Sequence, residues 1–122
     1  MMVCYALAPG DSDVWLSPTE VVERLRTAFA CVESDAQEGI KYASQVLERM
    51  KQIRAPQLVI DHLEQRYEDS IAVAVSDGAT DSHGRLSFVV MPEECIKVYT
   101  EPDLMPLVQQ CMSALGYEMM EL

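Results

Sequence analysis

Basic side chains are scarce in this sequence: nine lysines and arginines stand against twenty aspartates and glutamates, a formal net charge of −11. A chain with that balance is repelled by a phosphate backbone, which excludes nucleic acid as the main partner and favours basic proteins or cations. Long apolar runs are missing too. None approaches the roughly 18 consecutive residues that a membrane span needs, so no membrane partner is expected. The stretch Met1 to Ala8 has neither the basic flank nor the full apolar core of a secretion signal, which predicts a cytoplasmic protein. There is no GxSxG, P-loop, glycine-rich dinucleotide fingerprint or HExxH, so catalysis has no positive argument and no cofactor is expected. Cys4, Cys31, Cys95 and Cys111 form no CxxC pair and have no histidine at metal-ligand spacing. Reduced, mostly buried thiols are the reading that follows.

What is present is enough for a folded core. A 49% hydrophobic content over 122 residues suits one domain spanning residues 1–122 and is too apolar for the disordered class, despite the charge. The acids are unevenly placed: eleven lie after residue 61, against three basic residues, Arg66, Arg85 and Lys97.

Met2 to Ala8, ended by Pro9-Gly10, reads as a strand. Ser17-Pro18-Thr19-Glu20 is a capping box with proline at the first helical position, and Val21, Val22, Leu25, Ala28 and Phe29 follow at helical spacing. Trp15 and Leu16 just before it suit a hydrophobic staple. Phe29 to Val32 fits either the end of that helix or a short strand, and the strand is preferred. Asp35 and Glu38 make a second capping pair for a long helix with the stripe Ile40, Ala43, Val46, Leu47, Met50 and Ile53. Gly39 in its first turn costs about 1 kcal/mol of helix propensity. Ala55-Pro56 breaks the pattern and starts another helix, with Val59, Ile60, Leu63 and Tyr67 inside.

From Ile71 the period changes to two. Ile71, Val73 and Val75 predict one strand, Leu86, Phe88 and Val90 a second, and Cys95 to Thr100 a third, forming a meander. Pro102 and Pro106 bracket the start of a last helix, with Asp103 the expected N-cap and Gly116 the stop. Tyr117 to Leu122 is a candidate closing strand. The order predicts an α+β two-layer sandwich, a mainly antiparallel sheet with helices packed on one face.

Asp61, Glu64 and Glu68 recur along one edge of their helix and, with the Glu93-Glu94 pair, are the residues expected to receive lysine or arginine from a partner. The expected function is therefore a non-catalytic interaction or regulatory module for a basic protein, of the inhibitor or immunity kind. Homodimerisation through an apolar surface, such as a stripe of Met105, Met112 and Met119 or Met120, is a further expectation. The alternative is a small-ligand protein or small enzyme that uses a groove between sheet and helices, with Asp61, His62 or a cysteine in it. Adjacent helical residues point about 100° apart, which argues against an Asp61-His62 dyad. Asp77, Asp81 and His83 share one loop and are the residues a cation would use. The loop lacks the acid count and closing glutamate of a calcium site and is rich in ordinary turn residues, so no metal is expected there.

Overall fold

The computed structural model describes residues 2–10, 14–76 and 85–120. Its strands are β1 (Val3–Ala8), β2 (Cys31–Asp35), β3 (Ile71–Ser76), β4 (Arg85–Val90), β5 (Ile96–Thr100) and β6 (Glu118–Met120). Its helices are α1 (Pro18–Ala28), α2 (Ala36–Gln52), α3 (Gln57–Arg66) and α4 (Met105–Leu115), with short 3-10 turns at Tyr67–Asp69 and Pro102–Leu104. The strands form two antiparallel three-stranded sheets, ordered β2-β3-β4 and β5-β1-β6. The fold is α+β.

The caps act where the residue types require. The Ser17 Oγ accepts from the Glu20 N–H at 3.2 Å, and Glu20 Oε1 accepts from the Ser17 N–H at 3.3 Å. Asp35 closes β2 and also caps α2, its Oδ1 accepting from the Glu38 N–H at 3.1 Å. Gly116, at φ 69°, stops α4 in the left-handed conformation that glycine adopts without a Cβ clash.

Three boundaries differ from expectation. Phe29 caps the end of α1 and is buried in the core, and the strand after it begins at Cys31. Asp103 lies inside the 3-10 turn and caps nothing; α4 starts at Met105 without a side-chain cap, because Pro102 and Pro106 each open a separate turn. The meander is also broken. β4 and β5 run close together, but β5 takes its ladder from β1, with Tyr5 opposite Val98.

Pleating decides what the sheets bury. Leu7, Val73, Val75, Leu86, Phe88, Val90, Ile96 and Val98 form one core with Val21, Val22 and Leu25 of α1 and Leu107, Val108, Cys111 and Leu115 of α4. Each large aliphatic side chain so buried is worth about 1.5–3 kcal/mol. The two core helices also complete one another's ends: Gln110 Nε2 donates to the Ala28 carbonyl at 2.5 Å, and Arg24 Nη1 to the Leu115 carbonyl at 3.4 Å. The α2–α3 hairpin carries a second cluster, Leu47, Ile60 and Leu63, with Val46, Met50 and Met91 packed on it. Gly39 lets α2 approach the start of β3: a Cβ there would lie 2.5 Å from the Ser70 carbonyl oxygen and 2.6 Å from the Ile71 Cα. Met105, Met112 and Met119 pack half-buried against the main core, and of the suggested stripe Met120 is the exposed member.

Candidate functional site

The N-terminus of α1, the 3-10 turn after α3 and the turn after β4 meet around a cleft of about 400 Å³. Glu20 comes from the first segment, Glu68 and Asp69 from the second, and Glu93 from the third. Arg66 is the one cation among the lining residues, so four carboxylates against one guanidinium leave three negative charges. Arg66 is itself engaged, since its Nη1 donates to Glu93 Oε1 at 2.5 Å. Glu68 and Asp69 make no ion pair among the described residues.

Trp15, Leu16, Ile71 and Pro92 add apolar lining beside these carboxylates. Trp15 is held edge-on against Tyr117, ring centres 6.3 Å apart, and the Tyr117 hydroxyl accepts from the buried Leu16 N–H at 3.0 Å. The cleft wall is thereby fixed to the end of α4 and the start of β6. Ser70 also lines it, and its Oγ is buried with no hydrogen-bond partner among the described residues. Glu93 sits at φ 54°, one of two non-glycine residues with positive φ among those described. That conformation is disfavoured for a side chain with a Cβ. A cleft lined by both apolar side chains and carboxylates suits the methylene stem and charged head of lysine or arginine. The dipole at the α1 N-terminus supplies about half a positive charge, too little to offset the three negative ones.

The five acids singled out in the sequence fall in three places. Glu68 and Glu93 share the cleft. Asp61 and Glu64 lie on the exposed side of α3, where Asp61 Oδ1 accepts from Gln57 Nε2 at 2.8 Å and Glu64 pairs with Lys51 at 2.9 Å. The hydrogen bond to Glu64, with its charge, raises the Lys51 pKa. Glu94 faces a different cavity, between α2, α3 and the end of β4, and burial raises its carboxyl pKa.

Asp61 and His62 do not form a dyad. The half-buried ring of His62 turns to the far side, its Nε2 donating to the Pro92 carbonyl at 3.3 Å. All four cysteines are free. Burial pushes the Cys111 thiol up to about 12, which makes it a core filler and not a nucleophile. Cys4 stands opposite Tyr99 on the neighbouring strand, and its proximity holds that phenol above its usual pKa. Asp77, Asp81 and His83 lie outside the described residues. Among the described residues no group of three or more histidine, cysteine or acidic side chains is placed to hold a metal, and no helix is long and apolar enough to cross a membrane.

In the sequence Glu20 has a capping role and Trp15 and Leu16 a staple role, and nothing there marks any of them, or Asp69, as part of a binding site. Glu20 carries a capping signature, which accounts for it locally, and no local pattern places it opposite Glu68. The chain matches no family model, no curated protein and no solved structure with which it was compared.

Proposed function

We propose that this protein is a non-catalytic binding module that docks a basic segment of a partner protein in the cleft between α1, the turn after α3 and the turn after β4. The observation that carries this reading is that Glu20, Glu68, Asp69 and Glu93 line one cleft with Trp15, Leu16, Ile71 and Pro92, where the one arginine among the described lining residues is paired internally. An arginine or lysine of the partner reaches Glu68 and Asp69 with its head and covers Trp15 and Leu16 with its stem. Such a module neutralises a basic protein by occupying the surface that protein uses, as an inhibitor or immunity protein does.

The probe is a fluorescein-labelled peptide of alternating arginine and alanine, titrated with the full chain and followed by anisotropy. Binding that weakens steeply with salt is expected, because the contacts are partly exposed charges. The double variant Glu68→Lys, Asp69→Lys places like charges in the cleft, which costs several kcal/mol and so lowers affinity well beyond tenfold. Glu48→Lys, on the exposed side of α2 away from the cleft, leaves it within about threefold. An equal loss of binding free energy per reversed charge in the two variants would show that the peptide reads net charge and not this cleft.

A further inference from the structure

The cavity that receives Glu94 is a slot of about 100 Å³ between the α2–α3 hairpin and the end of β4. Its walls are Val46 and Met50 of α2, Val59 and Leu63 of α3, and Val89 and Met91. It is smaller than the apolar cavity of about 150 Å³ that holds benzene, so its space suits one small apolar side chain and no larger group. One acid and one base, Glu94 and Lys97, line the same slot. Among the described residues neither is committed to an ion pair. Lys97 and His62 both favour the Glu94 carboxylate by charge, yet burial outweighs them and leaves it poorly solvated.

We propose that this slot binds a free aliphatic α-amino acid of the leucine, isoleucine or valine class. The branched side chain fills the space between Met50, Leu63 and Met91, the ammonium meets Glu94, and the carboxylate meets Lys97. An aliphatic amine would leave Lys97 unmatched, and an aliphatic acid would set a second carboxylate beside Glu94. Only a zwitterion answers both charges above one apolar slot. The site stands apart from the acidic cleft, so its failure leaves the docking reading intact.

The slot contains its own reporters. In the full chain labelled with ¹³C-methyl methionine, Met50 and Met91 line the slot, while Met105 and Met112 pack on the main core as internal controls. Titration with L-leucine to about 10 mM reaches millimolar dissociation constants. The expected result is a saturable shift of the Met50 and Met91 methyl signals with Met105 and Met112 unmoved. Isoamylamine and isovalerate, each keeping the branched chain and one charge, bind at least about tenfold more weakly, and glycine produces no shift. Val59→Trp, at a site 38% exposed on the slot rim, plugs it and abolishes the shift. Lys97→Ala, at an exposed position, weakens leucine binding at least about tenfold without touching the core. Unmoved Met50 and Met91 signals at saturation overturn the proposal, as does isoamylamine binding as tightly as leucine.

Discussion

Gly39→Ala separates two accounts of the same residue. Helix propensity alone makes it stabilising by about 1 kcal/mol, since alanine is the best helix former and glycine among the worst. The packing of α2 on β3 says otherwise. The new Cβ would stand 2.5 Å from the Ser70 carbonyl oxygen, 2.6 Å from the Ile71 Cα and 2.7 Å from the Ala72 nitrogen. Ordinary contact begins near 3.4 Å, so α2 must retreat by about 0.9 Å. All three obstructing atoms are backbone, which cannot swing aside as a side chain can. Overpacking of this kind costs about 1–3 kcal/mol, and rigid neighbours place it at the upper end, about 3 kcal/mol. Subtracting the propensity gain leaves a net loss of about 2 kcal/mol. That is a minor part of a typical stability of 5–15 kcal/mol, so the variant folds.

Urea unfolding followed by circular dichroism reads the difference directly, through a midpoint that falls at unchanged slope. At about 4 °C per kcal/mol for a chain of this size, the thermal midpoint drops by about 8 °C. A variant that proves more stable than the parent would refute the close approach and return Gly39 to an ordinary helical position. Gly116→Ala is the companion measurement. No atom lies within 4 Å of a Cβ there, and φ is 69°, so the cost is the left-handed conformation alone, about 1 kcal/mol.

Other substitutions test single contacts. Ser70→Ala removes a buried hydroxyl that has no partner among the described residues; stability in urea is expected to stay equal or rise by about 1 kcal/mol. Tyr117→Phe takes the acceptor from the buried Leu16 N–H, and the unfolding free energy should fall by about 1–3 kcal/mol. Glu94→Gln reports on burial through pH. The folded carboxyl pKa is raised above its usual value of 4.5, so the native state holds the proton more tightly and stability falls as pH rises through that interval. Glutamine removes the penalty: the urea midpoint rises relative to the parent at pH 7, and the gap closes at pH 4. A gap that is the same at both pH values would show that ionisation of Glu94 is not its cause.

Features decided within a few residues could be read directly from the sequence. The capping pairs Ser17-Glu20 and Asp35-Glu38, the break at Pro56, the change of period at Ile71 and the stop at Gly116 all form as their local chemistry dictates. What could not be read depends on partners distant in sequence. The alternation in β5 is the same whether its neighbour is β4 or β1, because pleating sets which face is apolar and not which strand lies alongside. Gly39 looks like a propensity defect until the backbone of residues 70–72 is placed against it. The cleft has the same character: Glu20 and Glu93 are separated by most of the chain and meet only because α1 and the end of β4 converge.

Glu93 and Glu94 show why counting charge along the chain is a poor guide to where charge acts. In sequence they are one acidic doublet, yet the chain turns between them, with Glu93 at φ 54°, and delivers the first to the acidic cleft and the second to the apolar slot. Their states differ accordingly. Glu93 holds Arg66 at an exposed position, an arrangement worth at most about 1 kcal/mol in stability, so its main effect is to occupy the one guanidinium among the described residues that line the cleft. Glu94 is half-buried and lacks an ion pair among the described residues. Two other acids are engaged in the same way as Glu93: Glu33 pairs with Arg85 and Glu64 with Lys51. On the proposed docking reading, a net charge of −11 therefore sets the long-range field that a basic partner would meet. On the same reading, the short-range choice of a docking site falls to carboxylates without an ion-pair partner among the described residues that share a cleft with apolar side chains, and Glu68 and Asp69, which line one cleft with Trp15 and Leu16, meet both conditions.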